Sequence, residues 1–102
     1  MFVDISNWIA DNRPALHYGV AAADVAGDGT AAFLVAGYGG PNRVLAFDGG
    51  RLHDVAPAVL ADPDRQAIGV AAGDLDGDGR EEIYVLNTDT YAGPKQFPDR
   101  LF

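Results

Sequence analysis

The chain alternates short apolar runs with glycine-rich polar turns, a pattern typical of short β-strands rather than long helices. Strands are predicted at the apolar runs 19–24, 32–36, 43–47, 52–55 and 82–86. The connecting segments 7–16 and 57–66 contain Pro14 and Pro63, which disfavour a long helix and leave room for one helical turn each. The predicted fold class is therefore all-β.

The same pattern occurs twice along the chain, at an offset of fifty residues. Eight of the eleven residues in 19–29 are identical to those in 69–79, and upstream 2–5 aligns with 52–55. A period near fifty residues, with about four short strands in each unit, is typical of β-propeller blades. The small residues of the first strand suit an innermost position near a crowded axis, although an alanine-rich composition would also explain them.

The alignment of the two copies divides the repeat region 1–102 into blades. We expect one four-stranded antiparallel blade at 18–55, an incomplete second blade at 68–102, and at 2–5 the outer strand of a preceding blade. Two blades cannot close a ring, and open sheet edges invite pairing. The chain is therefore expected to be a fragment of a larger propeller or a piece that self-associates through its open blade edges.

The strongest chemical signal is the acidic turn between the first two strands of the second unit. Oxygen donors stand at loop positions 1, 3, 5 and 9, which are Asp74, Asp76, Asp78 and Glu82. Carboxylates that alternate on a tight turn converge and repel one another, and a hard cation such as Ca²⁺ relieves that repulsion. Arg80, at position 7, would add its backbone carbonyl while its side chain points away, and Glu82 could bind through both oxygens. A solvated acidic turn is the alternative.

A weaker copy of the loop begins at Asp24. It keeps Asp24 and Asp28 but has Ala26 and Ala32 at positions 3 and 9. We therefore expect it to shape a turn and to bind metal weakly or not at all. An EF-hand is disfavoured for the stronger loop, because position 12 is Val85 instead of a bidentate glutamate and the flanking segments are predicted strands.

The composition narrows the function classes. The net charge of −8, from 15 acidic and 7 basic residues, disfavours nucleic acid and anionic membranes as partners. No apolar stretch is long enough to insert as a membrane-spanning helix, and the absence of cysteine excludes disulfides and thiolate metal sites. No nucleophile–base motif or phosphate-binding glycine loop is present, so the chain is predicted not to be an enzyme.

These residues resemble the FG-GAP repeats, also called VCBS repeats, of integrin α-chain propellers. The segments 40–43 and 52–56 resemble most closely the cartilage acidic protein branch of that family. Tyr18-Gly19 and Ile68-Gly69 stand where the family has Phe-Gly, and 39–41 and 92–94 stand where it has Gly-Ala-Pro. The resemblance implies a β-propeller, bound Ca²⁺, and an extracellular or cell-surface role in adhesion or in binding a protein or glycan ligand.

Two other roles remain open, a structural scaffold and an accessory region of a secreted enzyme. The longer loop at 89–98, which contains Tyr91, Lys95 and Phe97, is the candidate partner-binding surface, with a plain variable loop as the alternative. We expect His17 and His53 to be ordinary surface or packing residues. Trp8 is expected to cover the core between blades rather than to face a ligand.

Overall fold

The computed structural model describes residues 1–88 and 96–102. The described residues contain one 3-10 turn at Ser6–Trp8 and one helical turn, α1, at Ala58–Ala61. The strands are β1 His17–Ala23, β2 Ala32–Gly37, β3 Arg43–Asp48, β4 Arg51–Asp54, β5 Ala67–Gly73, β6 Glu82–Asn87 and β7 Arg100–Leu101. The all-β prediction is confirmed. The segment 57–66 contains its predicted helical turn, and the turn predicted in 7–16 begins one residue earlier, at Ser6.

The strands form two antiparallel sheets that follow the chain order. The first sheet is β1-β2-β3-β4 and the second is β5-β6-β7. Their registers coincide at the offset of fifty, since Ala23 pairs with Ala32 in the first sheet as Gly73 pairs with Glu82 in the second. This architecture is consistent with propeller blades, and below the two sheets are called the first and second blade.

Residues 2–5 differ from the expectation, because the structure has no strand there. A strand requires a ladder partner, and no described strand pairs with this segment. The Asp4 carboxylate instead accepts a hydrogen bond from the Ser6 backbone N–H at 2.8 Å, at the start of the 3-10 turn. The chain then meets the edge of β4, where Ile9 forms a parallel bridge with Leu52. The assignment of 2–5 to a preceding blade stays a prediction.

The core lies between the two blades. In β2 the buried residues Ala32, Leu34 and Ala36 alternate with the exposed Phe33, as the two-residue period of a strand requires. Together with residues of β1, β3, α1 and the second blade they form one cluster, which contains Ala23, Ala32, Leu34, Ala36, Val44, Leu60, Ala67, Ile83 and Val85.

The inner strands of the two blades approach with almost no side chain between them. A Cβ added at Gly19 in β1 would lie 2.8 Å from the Cα of Gly69 in β5 and 2.9 Å from the carbonyl oxygen of Ile68. Close packing of the two inner strands therefore explains the glycine at position 19.

Among the described residues, no helix is long and apolar enough to cross a membrane.

Candidate metal centre

The loop between β5 and β6 is wrapped around the carboxylate of Asp74. Its Oδ1 accepts hydrogen bonds from the backbone N–H groups of Gly77, at 2.7 Å, and Asp78, at 3.1 Å. Its Oδ2 accepts from the N–H of Gly79 at 2.9 Å. Gly77 and Gly79 have φ values of 78° and 87°, a region that side chains disfavour. The two glycines and the first aspartate thus shape the turn together.

This turn brings three carboxylates together at the surface. Asp74, Asp76 and Asp78 each offer one oxygen to a group in which all the ligand atoms lie within 4.8 Å of one another, and all three residues are exposed. Glu82 does not belong to this group. The structure therefore assembles three of the four predicted side-chain donors into one acidic cluster.

The sequence predicted that the side chain of Arg80 points away from the cluster, and in the structure it points toward it. Its Nη2 lies 2.9 Å from Oδ2 of Asp78, and its backbone N–H donates to Oδ1 of the same residue at 2.8 Å. The backbone hydrogen bond, followed by the side-chain one, lowers the pKa of Asp78. The guanidinium is the cation nearest in sequence to this carboxylate, and it neutralises part of the clustered charge.

Glu82 is also placed differently from the expectation. Its Oε2 accepts a hydrogen bond from the backbone N–H of Leu75 at 2.7 Å, so this carboxylate ties the end of the loop to its beginning. In the structure Glu82 supports the turn instead of joining the three aspartates.

The Asp24 loop has the same backbone arrangement with fewer charges. Asp24 accepts hydrogen bonds from the N–H groups of Gly27, Asp28 and Gly29, at 2.8, 3.1 and 2.7 Å. These bonds, the one from Gly29 first, lower the pKa of Asp24. With alanine at position 26, the described residues show no group of three carboxylates here. The turn therefore forms without the charges that the other loop concentrates.

Glu81 forms a hydrogen bond between the two blades that the sequence did not predict. Its Oε2 accepts a hydrogen bond from the backbone N–H of Asp24 at 2.7 Å, which links the loop of the second blade to the loop of the first. The available signal was the Glu81-Glu82 pair at the start of a strand, where successive side chains point in opposite directions. One glutamate therefore serves its own loop and the other serves the neighbouring loop.

The remaining candidates have structural contacts. Nδ1 of His17 lies 3.0 Å from the carbonyl oxygen of Ala36 in the neighbouring strand, and His53 is exposed on β4. Trp8 packs on Phe47 with ring centroids 6.2 Å apart. Of the predicted partner-binding loop, Tyr91 and Lys95 lie outside the described residues, while the guanidinium of Arg65 lies 4.8 Å from the ring centroid of Phe97.

Two successive antiparallel sheets, each with an Asp- and Gly-rich turn between its first two strands, are consistent with the blades of a β-propeller repeat protein. The model of the FG-GAP-like repeat matches residues 24–85. The chain is 45% identical to cartilage acidic protein 1 of Homo sapiens over 117 aligned positions, which cover 100% of this chain and 18% of the human protein.

A second relative, cartilage acidic protein 1 of Xenopus tropicalis, is 48% identical over 90% of this chain and 16% of its own length. The Mus musculus protein of the same name is 44% identical over the whole chain. The chain thus spans less than one fifth of each of these relatives. It belongs to the FG-GAP-like repeat family, as its residues indicated.

Proposed function

We propose that this chain is a calcium-stabilised β-propeller repeat module that serves extracellular adhesion or ligand binding and has no catalytic role. The observation that supports it best is the cluster of Asp74, Asp76 and Asp78, whose ligand atoms lie within 4.8 Å of one another. Three carboxylates held this close without a buried basic partner form a site of the charge and oxygen chemistry that Ca²⁺ prefers.

The donor set fits Ca²⁺ in part. Ca²⁺ takes about six to eight oxygens at roughly 2.3–2.6 Å, and the three aspartates would supply the charged ones, with backbone carbonyls and water completing the shell. Asp74 is held in place by three backbone N–H groups, and Asp78 would exchange its contact with Arg80 for the cation. When bound, Ca²⁺ would supply the charge that keeps the three carboxylates together.

The lack of a catalytic role is supported by the absence of any nucleophile–base motif in the sequence. An extracellular or cell-surface location is supported by the relatives, which are named cartilage acidic protein 1. Loops of this kind in extracellular modules bind Ca²⁺ at about 10⁻⁴–10⁻³ M. The partner would be a protein or a glycan.

Calcium titration calorimetry on three versions of the chain tests the proposal. The wild-type chain should bind one Ca²⁺, and Asp76→Ala should abolish that binding because it removes one of the three converging charges. Ala26→Asp should create a second site, because it restores position 3 of the Asp24 loop, whose backbone turn already has the matching hydrogen bonds.

Three results would contradict the calcium proposal: no heat of binding in the wild-type chain, two equal sites in it, or unchanged affinity in Asp76→Ala. A melting temperature that does not respond to a chelator would refute the structural role of the ion, because a ligand at a hundredfold excess over its Kd should stabilise the fold by roughly 2.7 kcal/mol.

A further inference from the structure

Four aspartates of the chain are followed directly by glycine, in the pairs Asp28-Gly29, Asp48-Gly49, Asp76-Gly77 and Asp78-Gly79. An Asp-Gly bond is the peptide bond most prone to rearrange to isoaspartate, because the glycine nitrogen attacks the neighbouring carboxyl and glycine has no side chain to obstruct that attack. Since the four bonds have the same local chemistry, their contacts in the fold decide which of them reacts.

In three of the four pairs the attacking nitrogen is held by a hydrogen bond. The N–H groups of Gly77 and Gly79 donate to the carboxylate of Asp74 at 2.7 and 2.9 Å. The N–H of Gly29 donates to the carboxylate of Asp24 at 2.7 Å. Hydrogen bonds to a charged acceptor are the strong ones, so each of these nitrogens must give up such a bond before it attacks.

The carboxyl groups of the same three pairs are held as well. Asp28 accepts from the backbone N–H of Thr30 at 2.8 Å, and Asp76 accepts from that of Asp78 at 3.0 Å. Asp78 accepts from the backbone N–H of Arg80 at 2.8 Å. Each carboxyl is thus fixed toward the N–H two residues further on, in the arrangement of an Asx turn, and away from the glycine nitrogen next to it.

Asp48-Gly49 has neither restraint. The pair begins the two-residue turn between β3 and β4, where Gly49 and Gly50 have φ values of 58° and 81°, as a type I′ hairpin turn requires. Asp48 and Gly49 are both exposed. Among the described residues, the N–H of Gly49 has no hydrogen-bond acceptor, and the carboxylate of Asp48 has no hydrogen bond or ion pair.

We propose that Asp48 is a modification site, at which the folded chain converts spontaneously to isoaspartate. The nitrogen of Gly49 bonds to Cγ of the protonated Asp48 carboxyl, whose hydroxyl leaves with the proton of that nitrogen as water. The product is a five-membered succinimide. A second water adds to the former main-chain carbonyl and breaks its bond to the nitrogen, which leaves the main chain running through Cγ. One water is lost and one is gained, with no oxidant or reductant. This proposal does not depend on calcium binding.

The modification changes the turn that aligns β3 with β4. Asp48 pairs with Arg51 and Phe47 pairs with Leu52 across this hairpin. The length and type of the turn set the register of a hairpin, and isoaspartate puts one extra carbon into the main chain at Asp48. The outer strand β4 should therefore loosen from β3, while the β1–β2 ladder of the same blade stays as it is.

Peptide mapping of the aged whole chain tests the site. The folded protein is incubated at neutral pH with a chelator, so that hydrogen bonds alone protect the carboxyl groups, and isoaspartate is identified by electron-transfer mass spectrometry. Trypsin releases Asp48 in the peptide 44–51, apart from the peptide 66–80 with Asp76 and Asp78. Isoaspartate should form at Asp48 roughly tenfold or more faster than at the other three sites, the factor that one hydrogen bond to a charged group supplies.

Two variants and the denatured chain provide the controls. In concentrated denaturant all four sites should react at similar rates, because their hydrogen bonds are gone. Asp48→Glu keeps the charge but would need a six-membered ring, so it should abolish the reaction at position 48 and leave the other sites unchanged. Asp24→Ala removes the acceptor of the Gly29 N–H and should speed the reaction at Asp28 roughly tenfold, the same factor.

Equal rates at the four sites of the folded chain would overturn the proposal, and so would a folded chain that forms no isoaspartate at Asp48. A preference for Asp48 that persists in denaturant would show that the local sequence, and not the fold, selects the site. In the modified chain, amide hydrogen exchange should be faster at Leu52 and His53, and unchanged exchange there would refute the loosening of β4. If Asp24→Ala loses the wild-type circular dichroism spectrum, the comparison of folded and denatured chain decides alone.

Discussion

Gly19 and Gly69 occupy the same position of the repeat but should respond in opposite ways to the same substitution. A Cβ at Gly19 would meet three backbone atoms of the other blade, at 2.8, 2.9 and 3.3 Å. A Cβ at Gly69 would meet only side-chain atoms of Leu86, at 3.6 and 3.7 Å, which is ordinary van der Waals contact. Backbone atoms cannot rotate away, so Gly19→Ala must push β1 and β5 apart.

The expected difference in melting temperature follows from a comparison of the two variants. Replacing glycine by alanine in a compatible conformation stabilises by about 0.4–1 kcal/mol through the unfolded chain, and neither glycine has a left-handed φ. This gain is common to both variants and cancels between them. The difference is then the steric cost of overpacking, about 1–3 kcal/mol. At roughly 4–8 °C per kcal/mol for a domain of this size, Gly19→Ala should melt about 4–24 °C below Gly69→Ala.

Differential scanning calorimetry of the two alanine variants and the wild-type chain, at one protein concentration, checks this prediction. Gly69→Ala should melt at or slightly above the wild-type temperature, and Gly19→Ala clearly below it. If the two variants melt together, the close approach of β1 and β5 does not exist in solution, and the packing of the two blades described above is wrong.

Three further predictions concern the loops and β6. Arg80→Ala should tighten calcium binding by at most about fivefold, the size of an exposed ion pair, because it frees a ligand carboxylate; weaker binding by calorimetry would contradict this. Glu81→Ala should speed amide hydrogen exchange at Asp24, whose N–H loses its acceptor, and unchanged protection there would refute the link between blades. Tyr84 donates to Asp99, and this hydrogen bond raises the pKa of Tyr84. A raised pKa stabilises the fold below the unfolded value of about 10 and loses that stabilisation as pH rises through the folded value. Tyr84→Phe should therefore flatten the alkaline loss of stability in denaturant titrations, and an unchanged profile would contradict the assignment.

The sequence by itself determined the features that depend on local chemistry. The period of fifty residues, the apolar runs such as 82–86 and the prolines of the connectors predicted the strands and the short helical turns that the structure contains. The spacing of Asp74, Asp76 and Asp78 predicted their convergence, because a turn of a few residues, set by glycines, fixes where those carboxylates lie.

The tertiary structure decided what depends on contacts between distant residues. Glu81 reaches Asp24 because the two blades pack with their loops side by side, which no local pattern encodes. The side chains of Arg80 and Glu82 have several partners within reach, and only the folded loop selects among them. Residues 2–5 align with a strand, yet a strand forms only where another strand supplies its ladder. Every strand has two faces. The packing of one blade on the other likewise decides which of these faces is buried.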